Sequence, residues 1–390
     1  MKPMGSQTPS AAGLYVHVPF CSAVCPYCDF AVTTGGAPSY RRFVDALERE
    51  IARYADDGWR FDTVYFGGGT PSALAADDLA HLFATLRRSF DLAPNARWHF
   101  EANPEDVNSQ SLAAWRDLGV DFLSLGVQTF DNEYLTFLGR RHSRQDARRA
   151  LALALGSGFD TVSADLIFGL PEQTPERFAR DLDEIVALAP SHVSCYQLTI
   201  HEGTPFAHRQ QRGELEEMPE PAQGELFLLT HRRLAEAGLE AYEVSNFARG
   251  EASRSAHNQK YWNHTPYLGL GPSAHSFDGR RRWWNQRRLG PWRARLDRGE
   301  SPVAEHEDLE PRDLALEALM LGLRTVDGMS YEAFRQRYGF DFEQPNTARI
   351  AAWQDRGLVQ RRPDAFCATL EGLAVADSLV RELDLTALEG

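Results

Sequence analysis

Residues 13–30 read GLYVHVPFCSAVCPYCDF, and three of the chain's five cysteines, Cys21, Cys25 and Cys28, fall within eight residues of this stretch. They follow a short apolar run that reads as a strand. Three closely spaced thiolates can each bind one iron of a [4Fe–4S] cube and leave the fourth iron without a protein ligand. Structural zinc takes four closed ligands, which three cysteines do not complete. His17 offers a fourth donor, but CxxxCxxC is not a familiar zinc spacing. A disulfide framework conflicts with a long, cysteine-poor chain whose first residues carry no secretory signal.

Working outward, the 390 residues are 43% hydrophobic and carry a formal net charge of −14. Such a chain can bury a large core over two or three domains. The acidic balance argues against bulk nucleic-acid binding, so no nucleic-acid partner is expected. No apolar run approaches the roughly 20 residues that span a bilayer. The opening MKPMGSQTPSAAG has no hydrophobic h-region and no Arg-rich amphipathic pattern. It reads as a disordered leader over residues 1–12, with a cytoplasmic location as the expectation.

Downstream of the cysteines, helical periodicity over 38–54, 76–90, 110–118 and 175–188 alternates with strand patterns at 63–66, 98–102, 122–127, 161–168 and 192–198. Residues 133–156 give two further helical pieces. Thr174 and Pro175 supply an N-cap and a first helical position. Six β–α alternations from residue 14 to residue 198 predict an α/β fold with a parallel sheet and helices outside it. Periodicity leaves open whether the sheet closes. Ligand-binding groups of such folds sit at the C-terminal strand ends. Gly67-Gly68-Gly69-Thr70-Pro71, Glu101, Gln128 and Asp165 all fall there.

The alternation stops at Ile200. Residues 13–245 are expected to form the core, and 246–306 an irregular aromatic and basic segment that closes it. Residues 307–390 hold three helices, a two-strand wing and a closing helix, the order of a winged-helix-like domain with acidic helices and no basic recognition face. The run RRRWWNQRR at 280–288 is open to three readings: nucleic-acid contact, pairing with carboxylates of a bound ligand, or a solvated arginine face. Cys195 and Cys367 read as small buried apolar residues. His257, in HNQKYW, is open to two readings: a metal-ligating imidazole or a buried packing histidine.

CxxxCxxC with Tyr27 before the third cysteine resembles the radical S-adenosylmethionine (SAM) superfamily, and YVHVPFCxxxCPYCDF resembles its oxygen-independent coproporphyrinogen oxidase group. That resemblance implies a partial six-stranded (β/α) barrel carrying a [4Fe–4S] cluster on Cys21, Cys25 and Cys28. It implies that SAM occupies the open iron and contacts Tyr15, Tyr27, Gly68, Gly69, Thr70, Glu101, Gln128, Arg140 and Asp165. Gly269–Ser276 resembles the family's GxGxxAHS segment at the barrel mouth. The oxidases place a further cysteine two residues after the third, where this chain has Phe30. HNQKYW matches the HNxxYW motif of the HemW family of heme chaperones, which implies heme near His257. The implied partners are heme, recipient hemoproteins and an electron donor, with peripheral membrane contact through recipients. A radical enzyme acting on a porphyrinogen is the rival reading.

Overall fold

The computed structural model describes residues 11–363 and 365–384, so residues 1–10 of the expected leader lie outside the described residues. Ala12 already opens the first strand. Six parallel strands follow in chain order: β1 (Ala12–Val18), β2 (Arg60–Gly68), β3 (Asp91–Ala102), β4 (Phe122–Gln128), β5 (Thr161–Phe168) and β6 (His192–Gln197). The connections run through α1 (Ala37–Tyr54), α2 (Ala76–Ser89), α3 (Ser109–Asp117), α4 (Asn132–Phe137), α5 (Arg144–Leu155) and α6 (Pro175–Leu188). Local chemistry sets the helix starts. Asn108 and Ser143 close capping boxes on α3 and α5, and the Thr174 side chain accepts from Arg177 N–H ahead of Pro175 at the start of α6.

Strand parity sorts the side chains into two layers. Leu14, Val16, Val64, Phe66, Trp98, Phe100, Leu123, Leu125, Val162, Ala164 and Val193 join the hydrophobic core. The intervening positions Tyr65, Glu101, Ser124, Asp165, His192 and Ser194 line a cavity on the other face. The helices cover the first layer. α1, for example, turns Phe43, Leu47, Glu50 and Ile51 inward at spacings of three and four.

The sheet stays open: no pairing joins β1 to β6. The free edge of β6 pairs antiparallel with Asn246–Ala248, and β1 pairs on its other side, in parallel, with β7 (Tyr267–Leu270). β8 (His275–Phe277), β9 (Arg281–Asn285) and β10 (Val303–Asp308) extend that side as antiparallel strands. The segment 246–306, expected to be irregular, is therefore largely ordered, and it also holds α9 (Ala256–Trp262) and α10 (Leu289–Asp297). Strands of three to six residues leave little period to read. They exist because the edge of β1 supplies ladder partners. Residues 201–224, past the end of the alternation, contain α7 (Pro205–Gln211) and the start of α8 (Glu220–Glu236).

Beyond β10 come α11 (Pro311–Gly322), α12 (Tyr331–Tyr338), α13 (Glu343–Asp355), a three-strand sheet, α14 (Leu370–Leu373) and α15 (Ala376–Glu382). In that sheet Ala365–Ala368 lies between Met329–Ser330 and Val359–Arg361. These elements bury a separate apolar cluster that includes Leu319, Phe334, Ile350, Trp353, Phe366 and Leu379. Among the described residues no helix is long and apolar enough to cross a membrane.

Glu50 clamps the added strands to the barrel. Its carboxylate, fully enclosed beneath α1, accepts from Gly271 N–H (2.8 Å), Asn285 Nδ2 (2.6 Å) and Trp292 Nε1 (3.1 Å). Burial lifts its pKa to about 7 against the pull of those three donors. Glu50→Gln turns an amide N–H₂ toward donors, and Glu50→Ala orphans all three. Each buried unpaired donor costs about 1–3 kcal/mol. Both variants should unfold at lower temperature than wild type, Glu50→Ala more so. Unchanged melting of both, followed by circular dichroism, would refute the clamp.

Candidate functional site: a cavity at the strand ends

The cysteine loop is seated by backbone. Phe20–Cys21 pairs in parallel with Thr33–Thr34, and Thr33 N–H donates to Pro19 O (2.7 Å), closing the loop at its neck. Phe20 is fully buried, its ring centroid 4.4 Å from that of Tyr40 and 5.4 Å from that of Phe43. Beside it, Gly69 N–H donates to Val18 O (2.8 Å) and Thr70 N–H to Phe20 O (2.7 Å). Gly68 N–H donates to Glu101 Oε2 (3.2 Å). All three amides are used to hold the loop and Glu101, so what the run can still present to a ligand is carbonyl oxygen.

His17 grips the far side of the loop. Its Nε2 shares a hydrogen bond with Ala31 O (3.0 Å) and its Nδ1 with the Tyr15 hydroxyl (3.0 Å). Burial drops its pKa to about 4, so the imidazole is neutral. Neither nitrogen is left for zinc. Tyr15, expected at SAM, is absent from the cavity lining. Its hydroxyl instead braces the histidine that holds the loop.

Cys21, Cys25, Tyr27, Cys28, Gly68, Gly69, Thr70, Glu101, Gln128, Arg140 and Asp165 all line one cavity of about 550 Å³ at the C-terminal ends of the strands. A hydrogen-bonded chain crosses it from one thiol to another. Thr70 Oγ1 donates to Cys21 Sγ (3.5 Å) and accepts from Asn103 Nδ2 (3.1 Å). Arg140 Nη2 donates to Asn103 Oδ1 (2.6 Å) and to Gly126 O (2.9 Å), while Nη1 donates to Cys25 Sγ (3.6 Å). Donors aimed at ligating sulfurs tune the potential of an iron–sulfur cluster. Burial raises the Cys21 thiol and pushes Cys28 up to about 11, so without a metal to replace the proton these two remain thiols near neutral pH. Among the described residues no three His, Cys, Asp or Glu side chains converge on a single-ion site. Thiolates that each take a different iron of a cube need no such convergence.

The cavity is electrically incomplete. Glu101 accepts from the Tyr65 hydroxyl (2.5 Å) and Gly68 N–H, and Asp165 from the Ser124 hydroxyl (2.9 Å). No ion pair to either carboxylate occurs among the described residues. Enclosure raises Glu101 to about 7 and Asp165 to about 6, and the Asp165 charge adds to the shift at Glu101. Arg140 Nε is buried without a hydrogen-bond partner. The cavity therefore asks for a ligand bearing both a positive group and an acceptor, and the amino, carboxylate and sulfonium groups of SAM fit. Gln128, at the end of β4, holds φ +68°, a left-handed conformation worth roughly 1–3 kcal/mol of strain that commonly marks ligand sites.

His257 does not join the cavity. It is 1% exposed, its Nδ1 shares a hydrogen bond with Thr63 Oγ1 (2.9 Å), and its Nε2 shares one with the Tyr261 hydroxyl (2.9 Å). Its ring packs against Tyr65 at 5.1 Å. With both nitrogens engaged, it is the packing histidine rather than a free ligand. In the basic run, Arg281 pairs with Asp308 (2.6 Å), Arg282 with Glu307 (3.0 Å) and Glu317 (2.6 Å), and Arg287 donates to Asp29 O (2.7 Å). Those arginines are neutralised or engaged within the chain. The sequence reading missed Tyr65, Asn103, Ser124, His192 and Ser194 in the lining. Strand parity with Glu101 and Asp165 was the available signal for all but Asn103.

Comparison with known proteins places the chain in a family. The radical SAM superfamily profile matches residues 15–185, and the HemN C-terminal domain profile matches 309–375. A Mycobacterium tuberculosis protein named heme chaperone HemW is 36% identical over 95% of this chain and 94% of its own length. The chain belongs to the HemW family of radical SAM proteins. The Bacillus subtilis heme chaperone HemW is 30% identical, covering 92% of this chain and 95% of the relative. A mitochondrial radical SAM domain-containing protein 1 from Bos taurus is 33% identical, covering 97% and 89%. The solved structure of Escherichia coli coproporphyrinogen III oxidase HemN superposes with a TM-score of 0.82 at 24% identity, covering 96% of this chain and 90% of that one. That likeness establishes the shared fold.

A Cβ on Gly69 would stand 2.7 Å from Val18 O and 2.8 Å from Phe20 O, backbone atoms that cannot swing aside. Gly69→Ala should therefore displace the cysteine loop while leaving the barrel folded. The expected outcome is several-fold lower iron and sulfide content after anaerobic reconstitution, with helical circular dichroism retained. Full cluster content would refute this account of the loop.

Proposed function

We propose that this protein is a heme chaperone that carries a [4Fe–4S] cluster on Cys21, Cys25 and Cys28 with SAM beside it, binds heme and passes it to recipient hemoproteins. The observation that carries the cofactor half is the content of one cavity: three thiols, two enclosed carboxylates with no ion pair among the described residues, and an arginine whose Nε has no acceptor among them. Relatedness over 92–95% of the chain to proteins named heme chaperones supports the second half. When bound, the cluster supplies single electrons and SAM a cleavable sulfonium. The chain's own groups bind and orient. Arg140 suits the SAM carboxylate, Glu101 and the glycine-run carbonyls suit its ammonium, and Gln128 and Asp165 suit the ribose hydroxyls. An electron donor would approach the exposed loop that carries Val24 and Phe30.

Phe30 supports the chaperone over the oxidase. It stands where the oxidases carry a further cysteine, and it is 63% exposed at the cavity rim. Anaerobic incubation of the reconstituted protein with SAM, reductant and coproporphyrinogen III should yield no protoporphyrinogen, while heme should move from the loaded protein to an apo-hemoprotein. Protoporphyrinogen as product would overturn the reading.

The raised carboxylates set a pH dependence. A cation favours their ionised forms, which the free protein holds above pH 7 and loses as the pH falls through 7 and 6. SAM should bind about tenfold more weakly at pH 6 than at pH 7.5, with proton release on binding below pH 7. Calorimetry in buffers of different ionisation enthalpy measures both. Equal affinity at the two pH values would remove Glu101 and Asp165 from the SAM site.

A further inference from the structure

A second cleft, of about 570 Å³, lies between one face of the β7–β9 sheet and helix α11. Its sheet wall carries Tyr267, Phe277 and Trp284, and its helix wall Met320 and Leu321. The volume suits a cofactor-sized ligand. Two histidines line it. His264 is fully engaged, through Nδ1 with the Tyr338 hydroxyl (3.1 Å) and Nε2 with Glu317 (2.9 Å). His275 is exposed, stacks on Trp284 with centroids 5.6 Å apart and planes 24° apart, and among the described residues makes no hydrogen bond through either ring nitrogen.

We propose that heme docks in this cleft, its ring between the aromatic sheet face and α11, with His275 as an axial ligand of the iron. The inference rests on the chaperone reading and deepens it by naming the site. A flat porphyrin needs two apolar walls, and the iron needs an imidazole nitrogen that is not already bonded. His275 meets that need and His257 does not. Partial burial and the Arg282 charge lower the pKa of His275, which keeps the imidazole in its metal-binding neutral form.

Charge in the cleft is nearly balanced. Arg282 faces Glu307 and Glu317, and Arg324 donates to Met320 O (3.1 Å) and pairs with Asp377 (2.5 Å). Ring burial and the iron–imidazole bond, rather than propionate pairing, would therefore hold the ligand. An exposed axial histidine in an open cleft also permits release, which a carrier requires. The first cavity is a poorer host. Its enclosed Glu101 and Asp165 would oppose propionates, its His192 is engaged by Ser163 (2.8 Å) and Tyr242 (2.8 Å), and its exposed His201 faces Asp29 (3.6 Å) at the rim.

The test is hemin titration of full-length, cluster-reconstituted protein, read by the Soret band. Wild type should give a histidine-ligated Soret. His275→Ala should bind several-fold more weakly with a shifted Soret, added imidazole should restore the band position, and the cluster absorption should stay unchanged. Trp284→Ala should weaken binding without changing the ligation signature. A His275→Ala protein with wild-type affinity and Soret overturns the site and leaves the chaperone reading standing. If His257→Ala alone abolishes the histidine signature, the ligand lies on α9 and the site also falls. Wild type that binds no heme overturns both.

Discussion

Two backbone hydrogen bonds, from Gly69 N–H to Val18 O and from Thr70 N–H to Phe20 O, fix where the cysteines can be. They fasten the exit of β1 to the turn that ends β2, so the loop rides on the two strands rather than on its own contacts. Only glycine at position 69 permits that approach. From this anchor the Thr70–Asn103–Arg140 chain spans the cavity between Cys21 and Cys25, giving two strand ends and one loop a common geometry. The loop's exposed residues, Ser22 to Val24 and Phe30, can then face solvent without loosening the cysteines.

The barrel's interior is polar because strand parity places Glu101, Ser124, Asp165 and Ser194 opposite the apolar layer. An interior with two carboxylates and no ion pair to either is costly for a folded protein to maintain alone. Enclosure moves their pKa values toward neutrality, which lets protons supply the missing charge until a cationic ligand arrives. The same arrangement that penalises the empty protein suits a positively charged ligand.

The open sheet matters as much as the barrel. Because β1 pairs with β7 rather than with β6, the edge that a closed barrel would consume instead carries the β7–β10 extension. Glu50 locks that extension beneath α1 through three donors drawn from the β7–β8 turn, β9 and α10. The extension then presents a sheet face to α11, and the second cleft exists only where the two meet.

The residue spacing alone determined the cysteine triad, the six β–α units and the strand-end positions of Glu101, Gln128 and Asp165, since each is written in local periodicity or local spacing. The roles of Tyr15 and His257 could not be read that way. Tyr15 lies six residues before Cys21, yet its hydroxyl is spent on His17, and His257 sits in a ligand-like motif with both nitrogens bonded to Thr63 and Tyr261. Tyr15 finds its partner two residues along its own strand, on the same face, and His257 meets Thr63 across 194 residues of chain, a contact no local spacing encodes. The short strands β7 to β9 escaped notice for the same reason: three to five residues carry no period, and only the edge of β1, across the fold, makes them strands.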